Sequence, residues 1–223
     1  MATGDRARVV LWEVATGRAR TFDGMPPEFY GPPSPHYAMG TPRSKRIVGA
    51  LAFSPDGTLL AAGYGNRTGF IGDYRQVVRV WDVRTRQDPR VLHVANTVAM
   101  LQFSADGATL RAACHDGTVR SWNVGNWEPA GTLTADEQIA SAAIAPDETL
   151  LAAGLKNGTI FLWELATGRL VRRVSGHPGG IPAMAFTPDG RSLATSSGSD
   201  RAVKFWDVGP GSELLSLRTQ GRL

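Results

Sequence analysis

Residues 145–168 read APDETLLAAGLKNGTIFLWELATG. Ala145-Pro146-Asp147-Glu148 is a turn: Pro fits the first central position of a type I turn and Asp tolerates the next. A short apolar strand, LLAAG, follows. Beyond Asn157-Gly158 the apolar stretch TIFLWEL runs to Trp163 and Leu165, and Ala166-Thr167-Gly168 closes it. Short apolar runs bounded by Gly, Asp and Asn are strand signals. The stretch is thus turn, strand, turn, strand, turn.

Outward from Trp163 the same pattern returns. Trp81, Trp122, Trp163 and Trp206 are separated by 41, 41 and 43 residues, and Trp12 precedes Trp81 by 69, one period plus 28. Each ends an alternating stretch: VVLWEV, VVRVWDV, TVRSWNV, TIFLWEL and VKFWDV. Trp127 falls off the period and reads as a loop or rim residue. The turn recurs as Ser54-Pro55-Asp56-Gly57, Ser104-Ala105-Asp106-Gly107 and Thr187-Pro188-Asp189-Gly190. There Gly takes the left-handed residue, so Glu148 in its place predicts slight strain. The unit is strand a, tight turn, strand b, turn, strand c ending at Trp, short turn, strand d. Four antiparallel strands per roughly 40–45 residues make one propeller blade. Ala152, Ala153 and Gly154 among Leu150, Leu151 and Leu155 suit a sheet with both faces covered.

From about Asp5 to Leu217 these residues resemble the WD40-repeat family. The final repeat matches best, with Gly176-His177 ahead of strand a and Trp206-Asp207 ending strand c. The resemblance implies a hydrogen-bonded structural network of His177, Ser196, Asp200 and Trp206. Other repeats depart from it: His93 is one residue out of register, and the repeat of Trp163 has Asn157 but no His. The expected fold is all-β: four complete four-stranded blades plus a partial N-terminal blade supplying strands c and d only, in an open or incomplete ring. As a single domain the chain divides into a partial blade (1–22), a Pro-rich insertion (23–46), blades at 47–93, 94–134, 135–175 and 176–218, and a tail (219–223), with a second insertion at 64–76.

The two insertions absorb the 28-residue excess. In a propeller the d–a and b–c connections emerge on one face, so both should sit together. They hold all four tyrosines, and their Tyr30, Tyr37, Arg43, Arg46, Tyr64, Arg67, Phe70, Tyr74 and Arg75 are the candidates for binding a partner. Tyr and Arg are favoured at interface hot spots because they bury much area and keep a polar handle. The other reading is a tyrosine-containing lid packed on its own blade.

Chemistry is sparse. The net charge is +4, but the 21 arginines and 3 lysines are scattered and mostly neighbour acids, which disfavours nucleic acid. No run approaches the ~18 apolar residues of a membrane span, and no secretory head is present. One cysteine, Cys114, excludes a disulfide framework and fits a reducing cytoplasm. The four histidines are widely spaced, which gives no metal site. Neither a P-loop, a Gly-x-Ser-x-Gly elbow nor a His-Glu-x-x-His pair occurs. No cofactor is implied. The expectation is a non-catalytic scaffold binding a protein or peptide through one propeller face. The alternative is a regulatory or sensor segment of a larger WD40-containing enzyme, such as a bacterial Ser/Thr protein kinase. An exposed blade face also predicts self-association.

Overall fold

The computed structural model describes residues 2–5, 8–22, 46–66, 76–85, 88–209 and 213–218. Nineteen antiparallel strands and no helix occur among them. The first sheet is β1 (Ala2–Asp5), β2 (Arg8–Glu13) and β3 (Arg18–Phe22). The second is β4 (Arg46–Phe53), β5 (Leu59–Asn66), β6 (Gln76–Asp82) and β7 (Arg90–Val94). The third is β8 (Val98–Phe103), β9 (Thr109–Cys114), β10 (Thr118–Asn123) and β11 (Pro129–Thr134). The fourth is β12 (Ile139–Ile144), β13 (Leu150–Leu155), β14 (Thr159–Glu164) and β15 (Leu170–Ser175). The fifth is β16 (Ala183–Phe186), β17 (Ser192–Ser197), β18 (Ala202–Asp207) and β19 (Glu213–Arg218). In every sheet the strands lie in sequence order.

One correction concerns the first blade. Strands c and d alone were expected there, but Ala2–Asp5 forms a further strand, pairing with β2 from Ala2↔Leu11 to Asp5↔Arg8. The blade therefore has three strands rather than two. The edge of β2 offers unpaired N–H and C=O groups, and even a short polar segment satisfies them by pairing.

Register repeats as the sequence does. The strand-c tryptophan sits opposite a strand-b leucine in each complete blade: Trp81↔Leu60, Trp122↔Leu110, Trp163↔Leu151 and Trp206↔Leu193. Because side chains alternate between faces, this pairing fixes which residues meet which neighbour. Trp81 packs with Val9 and Phe22 of the first blade, Trp122 with Val78 and Val80 of the second, Trp163 with Ala113 and Val119 of the third, and Trp206 with Ile160 and Leu162 of the fourth. Each tryptophan thus faces the blade before it. At about 25 cal/mol per Å² this burial is the main force joining one sheet to the next.

Area alone does not set register; shape does. A β-branched residue at the start of strand a, or two residues ahead of it in the last blade, is a knob, and the preceding blade offers a small residue as its hole. A Cβ on Gly63 would lie 2.6 Å from Val98 Cβ, and one on Gly154 would lie 2.7 Å from Ile181 Cβ. Both distances are far inside contact. At the third such place Ile139 packs with Ala113.

The innermost strands touch in series, β1 to β4, β4 to β8, β8 to β12 and β12 to β16. Among the described residues no contact of that extent returns from β16 to β1, and the ring is open. Trp12, in the first of the described blades, is 39% exposed, whereas the other four period tryptophans are 2–6% exposed.

The turns behave as their residues dictate. Gly57, Gly107 and Gly190 have φ between 70° and 73°, and Glu148 adopts φ 56° in their place. A left-handed Glu is strained. It is held by an inter-blade bond, the Ala105 N–H donating to Glu148 Oε1 at 2.5 Å.

Candidate interaction site and the network of the last blade

The last blade carries a chain of buried hydrogen bonds with a single direction. Trp206 Nε1–H donates to Thr195 Oγ1 at 2.8 Å. The Thr195 hydroxyl lies 2.8 Å from His177 Nε2, and His177 Nδ1 lies 2.8 Å from Asp200 Oδ2. Every donor is used if the imidazole is neutral with its proton on Nδ1: Thr195 then donates to Nε2, and Nδ1–H donates to the carboxylate. His177 also meets Trp206 edge-on, with ring centroids 6.5 Å apart. Burial pushes the Asp200 carboxyl up, but the hydrogen bond from His177, the Ala202 N–H and the nearby Lys204 ammonium outweigh it and hold it below the usual range. Lys204 Nζ donates to Gly176 O and pairs with Glu213 at 3.2 Å. The network thus ties the segment before strand a to strands b and c and the turn between them.

The hydroxyl in this network belongs to Thr195, not to Ser196, and the reason is alternation. Leu193 lies opposite Trp206, so Leu193, Thr195 and Ser197 share the tryptophan's face while Ser196 points to the other. The corresponding residues in the other complete blades are Ala62, Ala112 and Ala153, all buried. Those blades hold their tryptophans by packing. Their turn residues stay local: Asp116 accepts from the Thr118 N–H and hydroxyl and pairs with Arg120 at 3.9 Å, and Asn157 accepts from the Thr159 N–H.

The structure separates the partner-binding candidates. Tyr64 is fully buried, edge-on to Trp81 with centroids 6.5 Å apart, among Val9, Phe22 and Val77 between the first two blades. It continues the face of Leu60 and Ala62 in β5, which runs on to Asn66. Tyr64 is therefore a core residue, and the stretch between β5 and β6 begins after Asn66. Arg46 opens β4 and pairs with Asn66. Tyr30, Tyr37, Arg43, Arg67, Phe70, Tyr74 and Arg75 lie outside the described residues. Three of the four strand ends that flank the insertions nevertheless lie together at one end of the second blade, because Arg46 and Asn66 are paired and Gln76 opens the adjacent strand β6; the fourth, Phe22, ends β3 of the first blade.

Two further sets of residues were not foreseen. Arg20 of β3 donates to Val83 O at 2.7 Å and to Thr85 O at 2.8 Å in the next blade, and Arg172 of β15 donates to Gly209 O. Both lie opposite the residue just before their blade's tryptophan, Leu11 and Leu162. Arg90, from the second blade, stacks over Trp127 of the third at 5.8 Å, which gives the off-period tryptophan its role at the rim. Cys114 is buried, and desolvation pushes its thiol up to about 12, which makes it inert at neutral pH. Among the described residues no group of three His, Cys, Asp or Glu side chains could hold a metal ion.

Comparison with known proteins agrees with the fold. The family model described as WD domain, G-beta repeat matches residues 39–82, 88–123, 127–164 and 168–207. The chain is 28% identical over 202 residues to WD repeat and SOCS box-containing protein 1 of Danio rerio, covering 85% of this chain and 46% of that protein. It is 30% identical over 181 residues to the protein LST8 homolog of Drosophila melanogaster (78% and 54%) and 32% identical over 165 to periodic tryptophan protein 2 of Arabidopsis thaliana (72% and 17%). It thus spans about half or less of these relatives. A chain of a mitotic checkpoint complex crystal structure superposes with a TM-score of 0.79 at 18% identity, over 99% of this chain and 61% of that one. At that identity the likeness shows the fold alone.

Proposed function

The chain belongs to the WD40-repeat family, and on that premise we propose that it is a non-catalytic scaffold that binds a protein or peptide at the end of the second blade where β4, β5 and β6 open. The observation that carries this reading is the pairing of Arg46 with Asn66 beside Gln76. It brings the end of the first Tyr- and Arg-rich stretch beside both ends of the second. Rigid strands presenting variable connections are the usual design of a binding surface. Removing Tyr64 from the candidate set leaves Tyr30, Tyr37, Arg43, Arg46, Arg67, Phe70, Tyr74 and Arg75. The small share of several relatives that the chain spans, 17% for the Arabidopsis protein, favours a second reading as a regulatory segment within a larger assembly.

The test compares the wild-type chain with a variant carrying Arg67→Ser, Tyr74→Ser and Arg75→Ser, and with a control carrying Thr132→Ser on β11. Each is used to capture partners from its own source. The expected result is a specific partner lost only from the triple variant, with all melting temperatures alike. Equal recovery by both variants would locate binding elsewhere.

A further inference from the structure

We propose that the seam between the third and fourth blades is a binding site for a single carboxylate, the side chain of a glutamate presented by a peptide, with the Arg111 guanidinium as its receptor. This inference stands independently of the partner site above.

In each complete interior blade one row of four residues, one per strand, crosses the sheet at the position just before the strand-c tryptophan and faces the next blade. In the second blade the row is Ala52, Ala61, Val80 and Arg90. In the fourth it is Ala143, Ala152, Leu162 and Arg172. Small residues stand on strands a and b, and an arginine stands on strand d at the rim. Ala61 and Ala152 are fully buried. The rim arginines reach across their seams: Arg90 stacks over Trp127 and Arg172 donates to Gly209 O.

The third blade inverts this order. Its row is Gln102, Arg111, Ser121 and Gly131. Arginine replaces a buried alanine, and the rim position has no side chain. Gly131 is exposed, and a Cβ there would meet nothing within 4 Å. The row thus runs from an open rim, past the small Ser121, to the strand that bears the guanidinium. It faces the fourth blade, because side chains alternate and Ala113, two residues beyond Arg111, packs with Ile139 and Leu155 there. Across the seam Leu170 lies opposite Trp163 and so turns to the third blade, where it is 42% exposed.

One arm of the guanidinium is unsatisfied. Arg111 Nη1 is buried and has no hydrogen-bond partner. Arginine is rarely buried unpaired, because the hydration it loses must be replaced. Asp106 does not replace it: Asp106 Oδ1 accepts from the Ser104 hydroxyl at 2.5 Å and the Ala108 N–H at 2.9 Å. Those donors chiefly hold the Asp106 carboxyl low, and the Arg111 charge adds to them. A guanidinium fork matches a carboxylate or a phosphate in two parallel bonds. Asp106 and Glu148, which binds the Ala105 N–H across the same seam, already bring negative charge to this end of the two blades. A monoanion is therefore favoured over a phosphate dianion. The methylenes of a glutamate suit the exposed Leu170.

The test is a nuclear magnetic resonance titration of the isotopically labelled 223-residue chain with N-acetyl-glutamate N-methylamide at constant ionic strength. The Arg111 side-chain signal is identified by its absence from Arg111→Ala. That variant installs the residue of Ala61 and Ala152, and circular dichroism checks that it is folded. In wild type the Arg111 signal and the Gly131 and Leu170 amides should shift and saturate together, in the millimolar range expected of so small a molecule. In Arg111→Ala the two amides should show binding about tenfold weaker or more, the worth of a charge-assisted contact. The glutamine analogue should cause no shift, and inorganic phosphate should bind more weakly than the glutamate compound. An Arg111 signal that does not move would overturn the proposal. So would an equal response to the glutamine analogue, phosphate binding as tight or tighter, or binding unchanged in Arg111→Ala.

Discussion

Replacing Thr195 by Val changes one atom group and keeps the side-chain shape. It removes the acceptor of the Trp206 N–H and the donor to His177 Nε2, both at 2.8 Å. Both partners are buried, so water cannot substitute for the hydroxyl. Each buried group left without a partner costs about 1–3 kcal/mol, partly offset because the hydroxyl need no longer be buried, so the expected loss is about 2–4 kcal/mol. For a chain of this size that lowers the melting temperature by roughly 5–15 °C. Urea denaturation followed by tryptophan fluorescence measures it, with Thr195→Ser and Ser196→Ala as companions. Thr195→Ser should retain most of the stability, and Ser196→Ala should fall within about 0.5 kcal/mol of wild type. Equal losses for Thr195→Val and Ser196→Ala would refute both the network and the register argument behind it.

Three further outcomes follow from the packing and the turns. Gly154→Val forces a side chain against Ile181 and should cost about 1–3 kcal/mol or more by overpacking, while Gly198→Ala, which meets nothing within 4 Å, should be nearly neutral in the same denaturation assay. Tyr64→Ser should destabilise by about 3–5 kcal/mol, as loss of a buried aromatic does; a midpoint equal to wild type would return Tyr64 to the binding candidates. Asp56, Asp106, Asp147 and Asp189 are held below the usual carboxyl range chiefly by hydroxyl and N–H donors of their own turns, Asp56 at about 2. Their folded-state pKa values lie below the unfolded ones, so the stability they contribute is present above the unfolded value of 3.8 and is lost as pH falls from there toward about 2. Melting temperatures measured from pH 6 down to pH 2 should decline through that window, and a flat profile would contradict the turn hydrogen bonds.

The blades were legible because covering both faces of a sheet leaves a strong mark on its two inner strands. LLAAG and TIFLWEL can hardly be read otherwise, and the tryptophans count the units. What escaped was set by neighbours rather than by local sequence. Ala2–Asp5 has no apolar pattern and is a strand only because an edge is there to pair with. Ser196 and Thr195 are adjacent hydroxyls, and only the Leu193–Trp206 pairing decides which one faces inward. Tyr64 suggested a binding residue by type, although the run Leu60, Ala62, Tyr64 already placed it on a buried face. Arg20 and Arg172 bond to residues 63 and 37 positions away, and no local pattern announces a contact made across two sheets.

The central claim is an open series of five blades, each tryptophan seated on the blade before it. The most direct measurement is a pair of spin-label distances. One pair, Thr21→Cys with Ser216→Cys, reports on the first and last blades; the other, Ser175→Cys with Ser216→Cys, spans adjacent blades. Labelled protein is diluted into unlabelled protein so that only distances within one chain are read, and Cys114 can stay because it is buried. Adjacent sheets pack about 10 Å apart, so the account predicts a first-to-last distance much longer than the adjacent-blade one. Equal distances would mean that the first blade packs against the last in a closed ring, contradicting the account.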